Sequence, residues 1–222
     1  MSLYYNTVSP LLKEILHKLS THPLFANFTL VGGTCLSLQL GHRRSIDIDL
    51  FTDIDYGTMD TQSIKQFLKS EFPYTERLDA LDQPALGYSL FIGNSPLDKI
   101  KLDLFYTEKF IFPTLQLDHV RMADIREIAA MKLGAIAQEE PRQKDFWDIH
   151  ELNEQFSIQD MIQWAIQRNE WAVTEEDILN GFNRINTTKE SPEGIDCYRG
   201  NYWSLVKDDL IEMIEEYLKI KK

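Results

Sequence analysis

Cysteine is scarce in this chain: there are two among 222 residues, Cys35 and Cys197, far apart and in no C-x-x-C or Cys/His cluster. That pattern offers no zinc site and reads as a reducing compartment. No run approaches the roughly 18 to 20 apolar residues of a membrane span, and the N-terminus lacks the basic start and apolar core of a signal peptide. The expectation is a cytoplasmic protein without a membrane partner. Basic charge is also in deficit, because 23 Lys and Arg face 35 Asp and Glu and leave a net charge of -12. That balance weighs against a broad basic surface for polynucleotide backbones, since such binding rests on Lys and Arg neutralising phosphates, and leaves open only a local basic groove. Internal repeats and low-complexity segments are absent as well.

What is present is an ordinary globular composition, 43% hydrophobic and 26% charged, in a chain long enough for one large domain or two small ones. Ser9-Pro10 reads as an N-cap with proline at the first helical position, and Leu11, Leu12, Ile15, Leu16 and Leu19 follow at helical spacing. A short strand at 28–31 is broken by Gly32-Gly33, after which Thr34 is placed to cap a short helix running to Gly41. Asp60 caps a further helix carrying Ile64, Phe67 and Leu68. Strand-like segments follow near 74–81, 85–92 and 99–106, the last two joined by the turn signal Gly93-Asn-Ser-Pro96. Beyond about residue 120 alternation stops, and helical spacing governs 124–137, 145–155, 158–168, 175–185 and 204–219. Ser157 and Thr174 open capping-box patterns at two of these starts, and 186–203 is the long loop. The expected fold class is α+β: a mixed sheet with flanking helices over residues 1–120, then a C-terminal helical bundle over 121–222.

The stretch "LVGGTCLSLQLGHRRSIDIDLF", residues 30–51, places two carboxylates inside an apolar strand. Ile46, Ile48 and Leu50 face one way, Asp47 and Asp49 the other. Two carboxylates on one strand face repel by about 4 kcal/mol at about 4 Å in a protein-like dielectric, so a positive charge belongs between them. "KIKLDLF" supplies a third: Asp103 alternates against Ile100, Leu102 and Leu104. Alternate strand residues are about 6.5 to 7 Å apart, and converging carboxylates at that spacing can bracket divalent ions. Such a cluster suits phosphoryl or nucleotidyl transfer, in which hard oxygen ligands hold Mg²⁺ and a carboxylate on a separate strand serves as general base. Gly-Gly after a strand is by itself an ordinary turn signal. Followed by Thr34 at a helix start, it becomes a candidate phosphate cradle of backbone N–H groups.

Gly32-Gly33-Thr34, then Asp47 and Asp49, then Asp103 on a later strand together resemble the polymerase-β type nucleotidyltransferase superfamily. More narrowly, "GGT…RSIDIDLF", "KIKLDLF" and "IREIAAMKLGAIAQEEPRQKDFWDIHEL" resemble the AbiEii/AbiGii-type nucleotidyltransferases, which include toxins of bacterial abortive-infection and toxin-antitoxin pairs. The likeness spans roughly residues 28–152. It implies a nucleotidyltransferase-type fold whose helical half completes the active-site cleft, and Mg²⁺- or Mn²⁺-dependent transfer of an NMP from an NTP. The implied acceptor is RNA, tRNA in particular, and a cognate antitoxin is the implied partner. Asp47, Asp49 and Asp103 are the implied metal ligands, with Gly32, Gly33, Thr34 and Arg44 at the nucleotide. Two other readings stand beside it: an idle nucleotide- or partner-binding domain of the same fold, and an enzyme modifying a small molecule such as an antibiotic.

The later motif has its own reading. Ile125, Ala129, Lys132 and Ile136 fall at helical spacing, so Lys132 lies on an apolar stripe, where a lysine either snorkels or meets an anion. With a triphosphate site in view, the expectation is a catalytic and nucleotide-binding contact to phosphate. Asp145 is either an N-cap, with Asp148 three residues on, or, by the resemblance, an acceptor-positioning member of the catalytic set. Arg43 and Arg44 are surface charges or, one of them, a phosphate ligand. A basic rim for tRNA would draw on Arg121, Arg126, Arg142 and Lys144. The five histidines show no metal spacing and read as structural. Trp147, Trp164, Trp171 and Trp203 read as core. Replacing Gly33 by Val should weaken NTP binding more than folding, because a branched side chain blocks close backbone approach to phosphate. Unchanged NTP affinity in a folded variant, by calorimetry, would remove that role.

Overall fold

A computed structural model describes residues 2–188, 190 and 195–221 of the chain. Part of the expected long loop, residue 189 and residues 191–194, lies outside the described residues. The chain divides into two compact units. One comprises Met1–Gly41 and Ser45–Ala123; the other comprises His42–Arg44 and Asp124–Lys222.

The first unit is built on a seven-stranded mixed sheet. Its strands are β1 (Thr29–Val31), β2 (Asp47–Thr52), β3 (Tyr74–Glu76), β4 (Gly87–Ser95), β5 (Asp98–Tyr106), β6 (Leu115–Leu117) and β7 (Val120–Met122), in the order β3-β4-β5-β2-β1-β7-β6. β2 is antiparallel to β1 and parallel to β5. Along β2 burial alternates residue by residue, with Ile48, Leu50 and Thr52 buried and Asp47, Asp49 and Phe51 half-buried. β5 repeats the pattern with Ile100, Leu102 and Leu104 buried, so the two strands present one apolar and one polar face in common. The helix α1 (Pro10–Thr21) contacts β2, β5 and β7, burying Leu12, Ile15, Leu16 and Leu19. Its start is the expected one, with the Ser9 side chain accepting from Leu12 N at 3.1 Å. The helix α3 (Thr61–Glu71) contacts β3 and is capped by Asp60, which accepts from Ser63 N.

Several local expectations are corrected. The helix after the double glycine, α2 (Gly32–Leu40), begins at Gly32 with Val31 as its N-cap, so Thr34 is an internal residue. Gly32 adopts φ +68, a left-handed backbone that lets the chain turn from strand into helix earlier than a threonine cap would. The segment near 74–81 is a strand only to Glu76, because Arg77 at φ 64 turns the chain into a short 3-10 helix at Leu78–Asp82. β4 runs on to Ser95, so the turn to β5 falls at Pro96-Leu97, later than the glycine predicts. The hairpin β6–β7 was not expected at all.

The second unit holds α4 (Ile125–Ile136), α5 (Gln143–Leu152), α6 (Ile158–Arg168), α7 (Glu175–Asn183) and α8 (Trp203–Ile220). α4 contacts α5, α6 and α7, and α8 contacts α5, α6 and α7. Ile128, Leu133, Phe146, Ile149, Met161, Ile178 and Leu210 form its core. Thr174 closes the expected capping box with Asp177, while the Ser157 side chain accepts from Asp160 N. Trp147 is buried and stacks on Trp203 at 6.3 Å, but Trp171 is 95% exposed in the turn after α6, contrary to a core role.

Thr34 fastens α2 to the start of β2. Its buried hydroxyl donates to the Asp47 carbonyl and shares a 2.8 Å hydrogen bond with the Ser45 hydroxyl. Thr34→Val keeps the shape and strands these buried partners, a loss of about 1–3 kcal/mol. Thermal unfolding should show the melting temperature falling by about 2–10 °C for a chain of this size. An unchanged melting temperature would mean that the fastening carries no energy.

Candidate active site

The strand-to-helix turn at Gly32 makes room for one particular carboxylate. Val31 pairs with Asp49 across β1 and β2. A Cβ built on Gly32 would stand 2.1 Å from Asp49 Oδ2. Only glycine serves here, both for its positive φ and because the Asp49 carboxylate lies against it. Asp49 thereby meets the positive end of the α2 dipole, where a negative charge is favoured.

The parallel register of β2 and β5 sets Asp49 opposite Asp103 and Asp47 opposite Lys101. All four lie on the half-buried polar face, with neighbouring strands about 4.8 Å apart. Lys101 Nζ donates to Asp103 Oδ2 at 2.6 Å, and the Asp103 side chain is 15% exposed. The other oxygen, Asp103 Oδ1, is buried and has no hydrogen-bond partner. A buried carboxylate oxygen left without a donor costs about 1–3 kcal/mol unless something positive completes it.

Among the described residues no three His, Cys, Asp or Glu side chains already converge on a cation position. The donor set nonetheless suits a hard divalent cation. Three carboxylates share one face of neighbouring strands, and one presents an orphaned buried oxygen. What occupies Asp103 in this structure is the Lys101 ammonium.

The second unit carries a different charged cluster. Lys132 on α4 is 5% exposed. Its ammonium is 2.7 Å from both Asp145 Oδ1 and Asp148 Oδ2 on α5. Asp145 also accepts from Arg142 Nε at 2.8 Å. Asp148, fully buried, accepts a bidentate pair from Arg43 Nε at 2.7 Å and a second guanidinium nitrogen at 2.9 Å, and meets His42 Nε2 at 2.9 Å.

Burial works against each of these charges, and the partners outweigh it. Burial would raise the Asp148 carboxyl, but Arg43 and Lys132 hold it well below the usual range, and Asp145 is lowered by Lys132 and Arg142 in the same way. Burial would lower the Lys132 ammonium, yet Asp145 and Asp148 keep it above the ordinary lysine value. His42 is the exception. Its burial prevails over the Asp148 contact and lowers its pKa, and its Nδ1 is buried without a partner.

The expected site residues thus fall into two groups. Gly32, Gly33, Thr34, Asp47, Asp49 and Asp103 belong to the first unit, and Arg44, Lys132 and Asp145 to the second. The carboxylates share a face as expected. The Thr34 hydroxyl is turned inward, which leaves the backbone of the first turn of α2 as what could meet an anion. Arg44 is exposed, and its backbone N–H donates to Asp196 O at 2.9 Å. Lys132 neither snorkels nor stands ready for phosphate, because its charge is shared by two carboxylates. Asp145 is no N-cap; that position is Arg142. Sequence reasoning missed Asp148 as the hub of the cluster, the buried roles of Arg43 and His42, and Lys101, whose signal was its place two residues before Asp103 in "KIKLDLF".

The chain matches the family model described as nucleotidyl transferase AbiEii toxin of type IV toxin-antitoxin systems over residues 14–185. An uncharacterized protein of Aquifex aeolicus (strain VF5) is 30% identical over 148 residues, covering 62% of this chain and 63% of that one. The chain therefore spans less than two thirds of that relative. Among crystal structures, a candidate nucleotidyltransferase from H. pylori superposes with a TM-score of 0.55 at 15% identity, covering 95% of this chain and 94% of the other. JHP933 from Helicobacter pylori superposes with a TM-score of 0.47 at 14% identity, covering 99% and 98%. The first of these likenesses shows a nucleotidyltransferase fold.

Removing one partner from a buried ion cluster costs about 3–5 kcal/mol, so Asp148→Asn should lower the melting temperature by about 6–20 °C. The pH dependence has two stages. His42 is held neutral, so the unfolded chain takes up a proton that the folded one refuses, and stability falls as pH drops below about 6.5. The depressed carboxyls Asp145 and Asp148 contribute fully above about pH 4 and lose their contribution as pH falls through their folded values. Urea unfolding from pH 8 to pH 3 should show both stages, with the first flattened in His42→Gln. Superimposable profiles for the variant and wild type would contradict the assignment.

Proposed function

The chain belongs to the AbiEii nucleotidyltransferase toxin family, and we propose that it transfers an NMP from an NTP to an RNA acceptor, tRNA in particular, as the toxin of a toxin-antitoxin or abortive-infection pair. The observation that carries this reading is the β2–β5 register. It aligns Asp49 with Asp103, keeps Asp47 on the same face, and leaves Asp103 Oδ1 buried without a partner.

Asp47, Asp49 and Asp103 would hold Mg²⁺ or Mn²⁺. Bound there, the cation offsets charge on the triphosphate and makes the attacking hydroxyl more acidic. The chain's own residues supply the rest. Backbone N–H groups in the first turn of α2, at Gly33 above all, receive phosphate oxygens at a helix N-terminus. Asp103 accepts the acceptor's proton. The acceptor oxygen forms a bond to the α-phosphorus, the bond from that phosphorus to the bridging oxygen breaks, and pyrophosphate leaves with the electron pair. Lys132 and Asp145 act within the second unit. An ammonium shared by two buried carboxylates fixes α4 against α5, and it reaches a phosphate only by leaving both.

A net charge of -12 favours a second reading, a small-molecule acceptor that needs no basic groove. Incubation of the protein with each labelled NTP, Mg²⁺ and either total RNA or a panel of aminoglycoside-type acceptors separates the two. Asp103→Asn should lower transfer by about 10³-fold or more, since a general base alone supplies about 10² to 10⁴-fold. NTP affinity should be retained, and the melting temperature in EDTA should stay within a few degrees of wild type, because relief of repulsion among the three carboxylates offsets the loss of the Lys101 ion pair. Transfer at near wild-type rate in Asp103→Asn would sink the assignment. Absence of transfer to any acceptor by the wild-type protein would leave an idle domain of the same fold.

A further inference from the structure

Lys101 is placed at the carboxylates that would hold a catalytic cation. Strand alternation puts Lys99, Lys101 and Asp103 on one face of β5. Lys99 is engaged at the sheet's outer side, where it pairs with Glu76 and lies 4.6 Å over the Phe91 ring. Lys101 instead stands beside Asp47 in the register and holds Asp103 Oδ2 at 2.6 Å, with 37% of its side chain exposed. Carboxylates on adjacent positions repel one another, and this ammonium is the counter-charge of Asp103 in the metal-free protein. A divalent cation at the open Asp103 Oδ1 would stand across one carboxylate from the ammonium on Oδ2. The two positive charges repel at that range, and the ammonium, single-bonded and 37% exposed, is the one able to leave.

We propose that Lys101 is a place-holding cation: it holds Asp103 in the metal-free protein, is displaced from it by the divalent ion, and then turns to the phosphates of the incoming NTP. This rests on the metal-dependent reading above. The flexible four-carbon stem of lysine, its compact charge and its partial exposure permit such a swing, where a guanidinium fixed in a bidentate pair would resist it. The consequence is conditional loading. The cation alone competes with a resident ammonium and binds weakly, whereas the cation arriving with triphosphate gives that ammonium a new partner.

Binding of Mn²⁺, followed by the electron spin resonance of the free ion, tests this on wild type, Lys101→Met and Lys101→Gln, without nucleotide and with α,β-methylene analogues of the four NTPs. Without nucleotide, both variants should bind Mn²⁺ at least about tenfold tighter than wild type. The extra affinity gained from the analogues should be larger in wild type than in either variant. In EDTA the variants should melt a few degrees lower, and a fixed Mn²⁺ concentration should raise their melting temperatures more than it raises that of wild type. The double variant Lys101→Met, Asp103→Asn should show no such gain, because the competition runs through Asp103. Equal or weaker Mn²⁺ binding in the Lys101 variants, or the same gain in the double variant, would overturn the proposal and leave the proposed transferase intact. Failure of every form to bind Mn²⁺, even with nucleotide analogue, would overturn both.

Discussion

The parallel pairing of β2 with β5 is the constraint on which the candidate site depends. Ile48 and Leu50 on one strand and Leu102 and Leu104 on the other are buried together, and burying four such side chains is worth about 1.5–3 kcal/mol each. Since strand side chains alternate strictly, committing these residues to the core commits Asp47, Asp49 and Asp103 to the opposite face. A slip of one residue would drive the carboxylates into the apolar layer. The hydrophobic effect therefore aligns the like charges, and electrostatics must absorb the result. It does so with the α2 dipole and the Gly32 cradle at Asp49 and with the Lys101 ammonium at Asp103.

The second unit solves a harder electrostatic problem by a different route. Lys132, Asp145, Asp148 and Arg43 are all buried, where isolated charges would be prohibitive. Each is matched: two carboxylates share one ammonium, and the fork of Arg43 closes both oxygens of Asp148. The segment His42–Arg44, contributed from between Gly41 and Ser45, is thereby locked into the helical unit although its flanks belong to the other. With α4, α5 and this segment in place every charge is matched, so losing one member leaves another buried and uncompensated.

Legibility in the sequence tracked how local each signal was. The alternation of "SIDIDLF" and "KIKLDLF" revealed both strands and the shared face of their carboxylates, since period two needs only a few residues. Ser157 and Thr174 announced α6 and α7 because a cap and its partner lie three residues apart. The hairpin β6–β7 stayed hidden for the converse reason. Its strands have three residues each, too few to alternate, and its turn places Asp118 at φ 48 and His119 at φ 65 without the glycine or asparagine that normally marks such a turn. Arg77 at φ 64 conceals the end of β3 in the same manner.

The site divides along the same line. Asp47, Asp49 and Asp103 could be read because each is defined by its own strand. The roles of Asp148, Arg43 and His42 could not, because Asp148 and Arg43 are 105 residues apart and nothing in "GHRRS" distinguishes a buried arginine from a surface one. Lys132 shows the limit most clearly. Its place on a helical apolar stripe left it either snorkelling or meeting an anion, and the anion could be a substrate phosphate or one of the chain's own carboxylates. Spacing cannot choose between them. Tertiary structure can: Asp145 and Asp148, three residues apart on α5, each present one oxygen to the ammonium, so the charge demanded by burial is met within the unit. Lys101, by contrast, is only partly buried and serves carboxylates that have further use for a cation, which is why it, rather than Lys132, is the lysine free to exchange partners.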